Sequence, residues 1–263
     1  MLPKLISIGD FFLPTYGLLV TIGFLAGLWL ATRLARRDGL SADDVVNLAV
    51  YCALAGVFGA KLLMFIQDFN YYRRNPGEIL SVATLQAGGI FYGGLVAALG
   101  VAWWFLRKKK LPALRTADAF APGLALGHAI GRVGCFAAGC CWGLECDRPW
   151  AVTFTNPESN RMFGTPLFVP LHPTQLYEAA AEALIAFALW RRSLVPHKPG
   201  VILGLYLAMY SSVRFVVEFF RAHDAANPFG GPLSASQWIA LGLAALGLWM
   251  LKRPASTQRG ADS

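Results

Sequence analysis

Apolar residues in this chain come in long runs separated by short basic or turn-rich stretches. The runs extend from Leu13 to Leu34, Val45 to Ile66, Val82 to Leu106, Ala117 to Ala138, Leu171 to Trp190, Gly200 to Phe220 and Ser234 to Leu251. Each holds roughly 18 to 25 residues, enough to cross the hydrocarbon of a bilayer as a helix. The pattern predicts an all-α polytopic membrane protein with seven transmembrane helices. No fixed-period repeat accompanies it, and a short polar tail from Pro254 to Ser263 closes the chain.

Charge orients the spans, because Lys and Arg are retained on the cytoplasmic side. With the N-terminus outside, the inner loops hold Arg33, Arg36 and Arg37; Arg107, Lys108, Lys109, Lys110 and Arg115; Arg191, Arg192 and Lys198; and Lys252, Arg253 and Arg259. That is most of the 23 Lys and Arg. The outer side has Lys4, Arg73, Arg74, Arg148, Arg161 and Arg221, and Lys61, Arg132 and Arg214 stay within the membrane. The arrangement is N-out, C-in. Arg33, Arg36 and Arg37 follow the first run instead of preceding it, so that run reads as a retained span and not as a cleaved signal. The insert from Leu144 to Pro170 is rich in turn residues around a strand-like Trp150 to Thr155. It reads as a small periplasmic cap between helices four and five, within a single transmembrane domain.

Composition agrees with that class. Hydrophobic residues make up 56% of 263 positions and charged residues 14%, too apolar for one soluble core and its polar surface. The formal net charge of +8 sits in clusters between apolar runs and not in a basic patch with interleaved aromatics. Nucleic acid is therefore excluded as a partner.

Candidate chemistry begins with the polar residues that a membrane should exclude. Arg132 lies in the stretch Gly131-Arg132-Val133-Gly134-Cys135-Phe136 that runs on to Gly143, one helical turn after His128. Tyr210, Arg214 and Glu218 are spaced i, i+4, i+8 on the sixth run, with Arg221 three residues on. An arginine at membrane depth needs an anion or a water-filled cavity, and two from different helices could clamp a phosphate. The plainer alternative is an intrahelical Arg214–Glu218 pair with Arg132 snorkelling outward. Snorkelling is also the expectation for Lys61.

Three further stretches have two readings each. His172-Pro173 breaks the chain before a helix that Thr174 would cap, and Glu178 either completes the helix dipole or joins Gln175 in orienting the arginines. Gly88-Gly89-Ile90-Phe91-Tyr92-Gly93-Gly94 interrupts the third run, as a helix break beside a cavity or as tight helix packing. Tyr16, after Pro14-Thr15, is a site-lining tyrosine or a member of the aromatic belt.

Taken together and in order, Tyr16-Gly17, the paired glycines at 88–94, the arginine signature from Gly131 to Gly143, His-Pro-x-Gln-Leu-Tyr-Glu at 172–178 and Tyr-x-x-x-Arg-Phe-x-x-Glu-Phe-x-Arg at 210–221 resemble the phosphatidylglycerol:prolipoprotein diacylglyceryl transferase family. The resemblance implies transfer of a diacylglyceryl group from phosphatidylglycerol to the lipobox cysteine thiol of a preprolipoprotein. The product is a thioether, glycerol 1-phosphate is released, and no metal or other cofactor is required. It implies a monomeric enzyme of the bacterial cytoplasmic membrane whose site opens towards the periplasm, with the bilayer, phosphatidylglycerol and lipobox signal peptides as partners. Carried over by position, Arg214, Tyr92 and Glu218 are catalytic. Arg132, Gly131, Gly134, Cys135, Gly143, Tyr16, Tyr210, Glu178, Gln175 and His128 bind substrate. Tyr92 stands where many members have histidine, a favoured candidate for activating the thiol, and Cys135 where many have asparagine.

The chain has five cysteines. Cys135, Cys140, Cys141 and Cys146 fall at the oxidising outer face, where disulfides tying the cap to the fourth helix are expected; adjacent Cys140 and Cys141 are awkward for zinc. Cys52 reads as an ordinary buried residue. The rival functions are a membrane transporter or binding protein for an anionic or lipid substrate, a thiol oxidoreductase working through the outer cysteines, and a scaffold. The scaffold leaves the two arginines unexplained.

Overall fold

The computed structural model describes residues 2–8, 11–82, 84, 88–222 and 227–253. The polar tail with Arg259, and residues 83 and 85–87 of the third apolar run, lie outside the described residues. The chain is mostly helical and divides into two compact units. Residues 1–6, 13–34 and 117–263 form the first, and residues 7–12 and 35–116 the second. Among the described residues, Thr15–Arg37, Ala42–Gln67, Val201–Phe220 and Ala235–Lys252 are long and apolar enough to cross a membrane. The chain is a polytopic membrane protein.

Strands β1 (Lys4–Ile8) and β2 (Phe11–Pro14) pair ahead of helix α1 (Thr15–Arg37). In the second unit, Gly39 adopts φ +74° after α1, and the Leu40 N–H returns to the Ala35 carbonyl at 2.8 Å, the left-handed turn that ends many helices. Ser41 then caps helix α2 (Ala42–Gln67) by accepting from the Asp44 N–H at 3.2 Å. The short helix α3 (Phe69–Arg74) and a tight turn at Pro76–Leu80 follow.

The third apolar run is interrupted at its paired glycines, and both readings offered there, a helix break and tight packing, are met. Helix α4 spans Phe91–Lys108, so Gly88 and Gly89 precede it and only Gly93 and Gly94 lie inside. The cause is on α2. The Ile90 N–H donates to the Ala60 carbonyl at 3.0 Å, and a side chain on Gly89 would stand 2.6 Å from the Ala60 backbone. Gly59 and Gly93 bring α2 and α4 together just as closely, since a Cβ on Gly59 would lie 2.5 Å from the Gly93 carbonyl. Small residues let helices meet where no hydrophobic force drives them together in lipid. Lys61 does not simply snorkel, because its Nζ donates to the Thr84 carbonyl at 2.5 Å.

In the first unit, helix α5 (Ala113–Ala138) crosses α1 through the pairs Gly23/Gly127 and Gly27/Gly123. Helix α7 (Thr174–Ser193) and helix α8 (Val201–Val217) pack beside α5 around a core of Ala121, Ala125, Ile185, Ala186, Leu189 and Ile202. Asp118 of α5 caps α8 from outside it, accepting from the Gly200 N–H at 2.6 Å and the Leu203 N–H at 2.8 Å. Helix α9 (Ala235–Lys252) packs on α8 where Gly204 meets Gly247. Leu184, Phe187 and Trp249 point outward exposed, as side chains facing acyl tails do.

Between α5 and α7 the chain forms a small structure of its own. Strand β3 (Val152–Thr153) pairs antiparallel with β4 (Pro170–Leu171), and helix α6 (Pro157–Phe163) lies between them. The strand is shorter than the expected Trp150 to Thr155. Asn156 caps α6, accepting from the Glu158 N–H at 2.9 Å, and Gly164 ends it at φ +70°.

Candidate active site

The site is built on the irregular turn that follows α5. Ser159 of α6 donates to the Ala138 carbonyl at 2.9 Å and Thr165 to the Gly139 carbonyl at 2.9 Å, which satisfies carbonyls the helix end leaves open. From the start of α7, Gln175 Nε2 donates to the Cys140 carbonyl at 2.7 Å and Thr174 Oγ1 to the Cys141 carbonyl at 3.0 Å. Thr174 therefore does not cap its own helix, as the sequence suggested. Its hydroxyl instead holds the turn. The Gly143 N–H reaches the His172 carbonyl at 3.1 Å, and the Leu144 N–H reaches that of Phe220 at 2.8 Å. A side chain on Gly143 would stand 2.6 Å from both of those carbonyl oxygens, so only glycine fits.

Around this turn three arginines converge on one carboxylate. Glu178 is buried on the second turn of α7. Arg132 of α5 makes an ion pair with Glu178 through Nε, Arg214 of α8 through Nη1 at 3.0 Å, and Arg221 through Nη1 at 3.6 Å. Glu218 receives Arg214 Nη2 at 2.6 Å and Arg221 Nε at 3.6 Å. Ser234 donates to its other oxygen at 2.8 Å, and Arg214 Nη2 donates to Ser236 at 3.2 Å. Glu178 thus does more than complete a helix dipole. The intrahelical Arg214–Glu218 pair exists, but as one edge of a larger network, and Arg132 faces inward.

One turn deeper, His128 Nδ1 lies 3.5 Å from the buried Glu182, and its ring is 5.5 Å from that of Tyr210, which stacks on Tyr206 at 5.8 Å. Glu182, Tyr206, Ser234 and Ser236 were not anticipated from sequence. The signal for Glu182 was its i, i+4 spacing from Glu178. Tyr16 packs at Gly134, where an added Cβ would come 3.4 Å from its ring. Gly131 faces open space. Tyr92 belongs to the second unit, exposed in the first turn of α4. Gln175 is bound to the turn and not to an arginine.

The cysteines are placed otherwise than expected. All five are free thiols, and the Sγ atoms of Cys135, Cys140 and Cys141 lie within 4.8 Å of one another. Cys141 has φ +60°, so the chain does not run extended through the adjacent pair and send its thiols to opposite sides. Hydrogen bonds from Cys135 and Cys140, helped by the charges of Arg221 and Arg132, pull the Cys141 thiol well below its ordinary range. Arg132 Nη1 is 4.0 Å from Cys135 Sγ, so one guanidinium touches both the thiol cluster and the carboxylate network. Cys146 stands apart, accepting from the Arg148 N–H at 3.4 Å.

A family model described as prolipoprotein diacylglyceryl transferase matches residues 3–253. This chain belongs to that family. It is similar to the phosphatidylglycerol--prolipoprotein diacylglyceryl transferase of Clostridium tetani, at 32% identity over 95% of this chain and 96% of the relative. It is also similar to proteins of the same name from Photorhabdus laumondii, at 33% over 95% and 91%, and from Ruegeria pomeroyi, at 35% over 95% and 94%. In this prolipoprotein diacylglyceryl transferase family member, three guanidiniums face the two carboxylates of Glu178 and Glu218. One positive charge is left over, the complement of a phosphodiester.

Proposed function

We propose that the chain transfers the diacylglyceryl group of phosphatidylglycerol to the lipobox cysteine thiol of a preprolipoprotein, forming a thioether and releasing glycerol 1-phosphate. The observation that carries this reading is the convergence of Arg132, Arg214 and Arg221 on Glu178 in a chain of this family. Displacement at a glycerol carbon breaks a C–O bond and leaves charge on the departing phosphate. Guanidiniums fixed in advance, in a site with little water, stabilise that charge without reorganising. Arg132 binds the headgroup phosphate and Arg214 assists its departure, while Glu178 and Glu218 hold the guanidinium planes. Tyr210 and Tyr16 line the substrate path.

In this reading the chain crosses the bacterial cytoplasmic membrane seven times, N-out and C-in, as one membrane domain. Residues 144–170 then form a periplasmic cap, the site opens outward, and a monomer suffices, since both substrates arrive laterally in the bilayer.

The test is release of glycerol phosphate from phosphatidylglycerol vesicles supplied with a lipobox peptide, run beside Arg132→Ala, Arg214→Ala and Tyr92→Phe. Both arginine variants are expected to lose activity by roughly 100-fold or more. Tyr92→Phe shows whether that hydroxyl takes part. Wild-type protein that binds the lipid but transfers nothing would overturn the reading in favour of a lipid-binding or transport role.

A further inference from the structure

Two successive rungs join α5 to α7. Arg132 pairs with Glu178, and His128, four residues earlier on α5, has its Nδ1 at 3.5 Å from Glu182, four residues later on α7. Helix α8 repeats the spacing, with the Tyr210 ring 5.5 Å from that of His128 and Arg214 on Glu178. Arg132, Glu178 and Arg214 therefore form one tier. His128, Glu182 and Tyr210 form a second, about 6 Å along the helices.

The first tier has its task in the phosphate, and the second is not explained by it. Glu182 is 1% exposed, and neither of its oxygens accepts a hydrogen bond from the described residues. A buried carboxylate is costly unless a cation or a proton meets it. Among the described residues, the base paired with it is His128. His128 is not sealed in, since 28% of its side chain is exposed and Gly131, one turn on, faces open space. A carboxylate at Nδ1 keeps a proton on that nitrogen and leaves Nε2 to accept one, which is how a general base is oriented by a third group.

We infer that His128 is the catalytic base that takes the proton of the lipobox thiol, with Glu182 as the residue that positions it. This deepens the transferase reading and rests on it. In a displacement at carbon the nucleophile enters opposite the leaving oxygen. The incoming sulfur stands about 3–3.5 Å from the carbon and its base within about 3 Å of the sulfur. Base and phosphate clamp then belong on opposite sides of the reacting carbon, as the two tiers are. With the N-terminus outside, the His128 tier lies deeper, on the acyl side of the phosphate, where the diacylglyceryl carbon is. His128 Nε2 removes the S–H proton, and the sulfur's electron pair forms the C–S bond as the C–O bond to phosphate breaks. That bond's electrons leave on glycerol 1-phosphate against Arg132 and Arg214. Glu182 balances the imidazolium, whose proton passes to water as the products depart.

The test compares two lipobox peptides on the full-length protein in phosphatidylglycerol vesicles, one with cysteine and one with selenocysteine at the acceptor position. A selenol is ionised at neutral pH and needs no base. His128→Gln and His128→Asn should lose about 100-fold or more in kcat with the cysteine peptide, with little change in KM for the lipid, and regain most of it with selenocysteine. Glu182→Gln should fall less far and be relieved in the same way. Arg132→Ala should stay inactive with either peptide, since it acts on the phosphate. A merely structural role would depress both peptides alike. The proposal is overturned if the His128 variants transfer to cysteine at the wild-type rate, or lose cysteine and selenocysteine transfer in equal proportion; either result in an active wild type leaves the transferase reading intact. Should neither His128 variant fold, Glu182→Gln decides by the same comparison. Wild-type protein that releases no glycerol phosphate with either peptide would overturn the transferase reading itself, and this proposal with it.

Discussion

Arg214 of α8 holds Glu178 of α7 at 3.0 Å through one guanidinium nitrogen and Glu218 at 2.6 Å through another. One side chain therefore spans the two carboxylates of the site. Glu178 in turn receives Arg132 and Arg221, so α5, α7 and the end of α8 are joined through a single carboxylate. Its removal takes from Arg132 the carboxylate it pairs with and leaves Arg214 and Arg221 to Glu218 alone, in a poorly hydrated place.

For this reason Glu178→Ala should be severely destabilising, because taking one partner from a buried ion pair costs about 3–5 kcal/mol. Glu178→Gln keeps the volume and one acceptor, and should fold while losing the alignment of the guanidiniums. We expect Glu178→Ala to lower the thermal midpoint in detergent substantially. Glu178→Gln should stay near wild type in stability and lose transfer by about 10-fold or more, the scale of a displaced charge clamp. Equal stability of both variants with full activity in either would remove Glu178 from its role.

The cap carries a pH dependence of its own. Lys4 Nζ lies 2.6 Å from Glu158 on α6, and its hydrogen bond, with Arg161 adding charge, holds the Glu158 carboxyl below the usual range. A carboxyl depressed in the folded state adds stability above its unfolded value of about 4.3, and that contribution is lost as pH falls through the lower folded value. Limited proteolysis of the N-terminal strand should therefore be slow at neutral pH and faster in acid. Lys4→Ala should remove the difference. An unchanged acid response in Lys4→Ala would assign the effect to another group.

Much of this site could be read from the chain, because charge inside an apolar run has few explanations. Arg132, Arg214, Glu178 and Glu218 were singled out on that ground, and the structure brings them together. Their pairing was not legible. Helical spacing shows that Arg214 and Glu218 share a face but is silent on α7 crossing to meet them, and Glu178 near a helix start has an adequate local explanation. The cysteines misled for a related reason. Adjacent residues in extended chain point apart, and only the positive φ at Cys141 brings both thiols towards Cys135. The break before α4 is legible in Gly88 and Gly89, but its cause is not, because the Ile90 N–H is committed to Ala60 of α2.

Glycine crossings give a third expectation. A Cβ on Gly27 would stand 2.5 Å from the Gly123 carbonyl, and backbone cannot give way as a flexible side chain can. Gly27→Ala should force α1 from α5 and cost about 1–3 kcal/mol, as overpacking does. Gly131→Ala on α5 meets open space and should leave stability nearly unchanged. The comparison is made by thermal unfolding in one detergent, and a Gly27→Ala variant as stable as wild type would show that the helices can separate without loss.

Asp118 offers a test of how the bundle is assembled at its other end. It accepts from the Gly200 and Leu203 N–H groups at 2.6 and 2.8 Å, and so caps α8 with a carboxylate that belongs to α5. No local sequence signal marks it, since an N-cap is normally sought next to the helix it serves. Asp118→Ala leaves one buried and one part-buried donor without this acceptor, at about 1–3 kcal/mol, and also loses the charge that complements the positive end of the α8 dipole. Asp118→Asn retains one acceptor and should recover part of the loss. Because Arg214 and Glu218 lie at the far end of α8, the stability loss should exceed any loss of transfer measured well below the unfolding temperature. If Asp118→Ala instead abolishes transfer while the thermal midpoint holds, Asp118 is coupled to the reaction and is more than a cap.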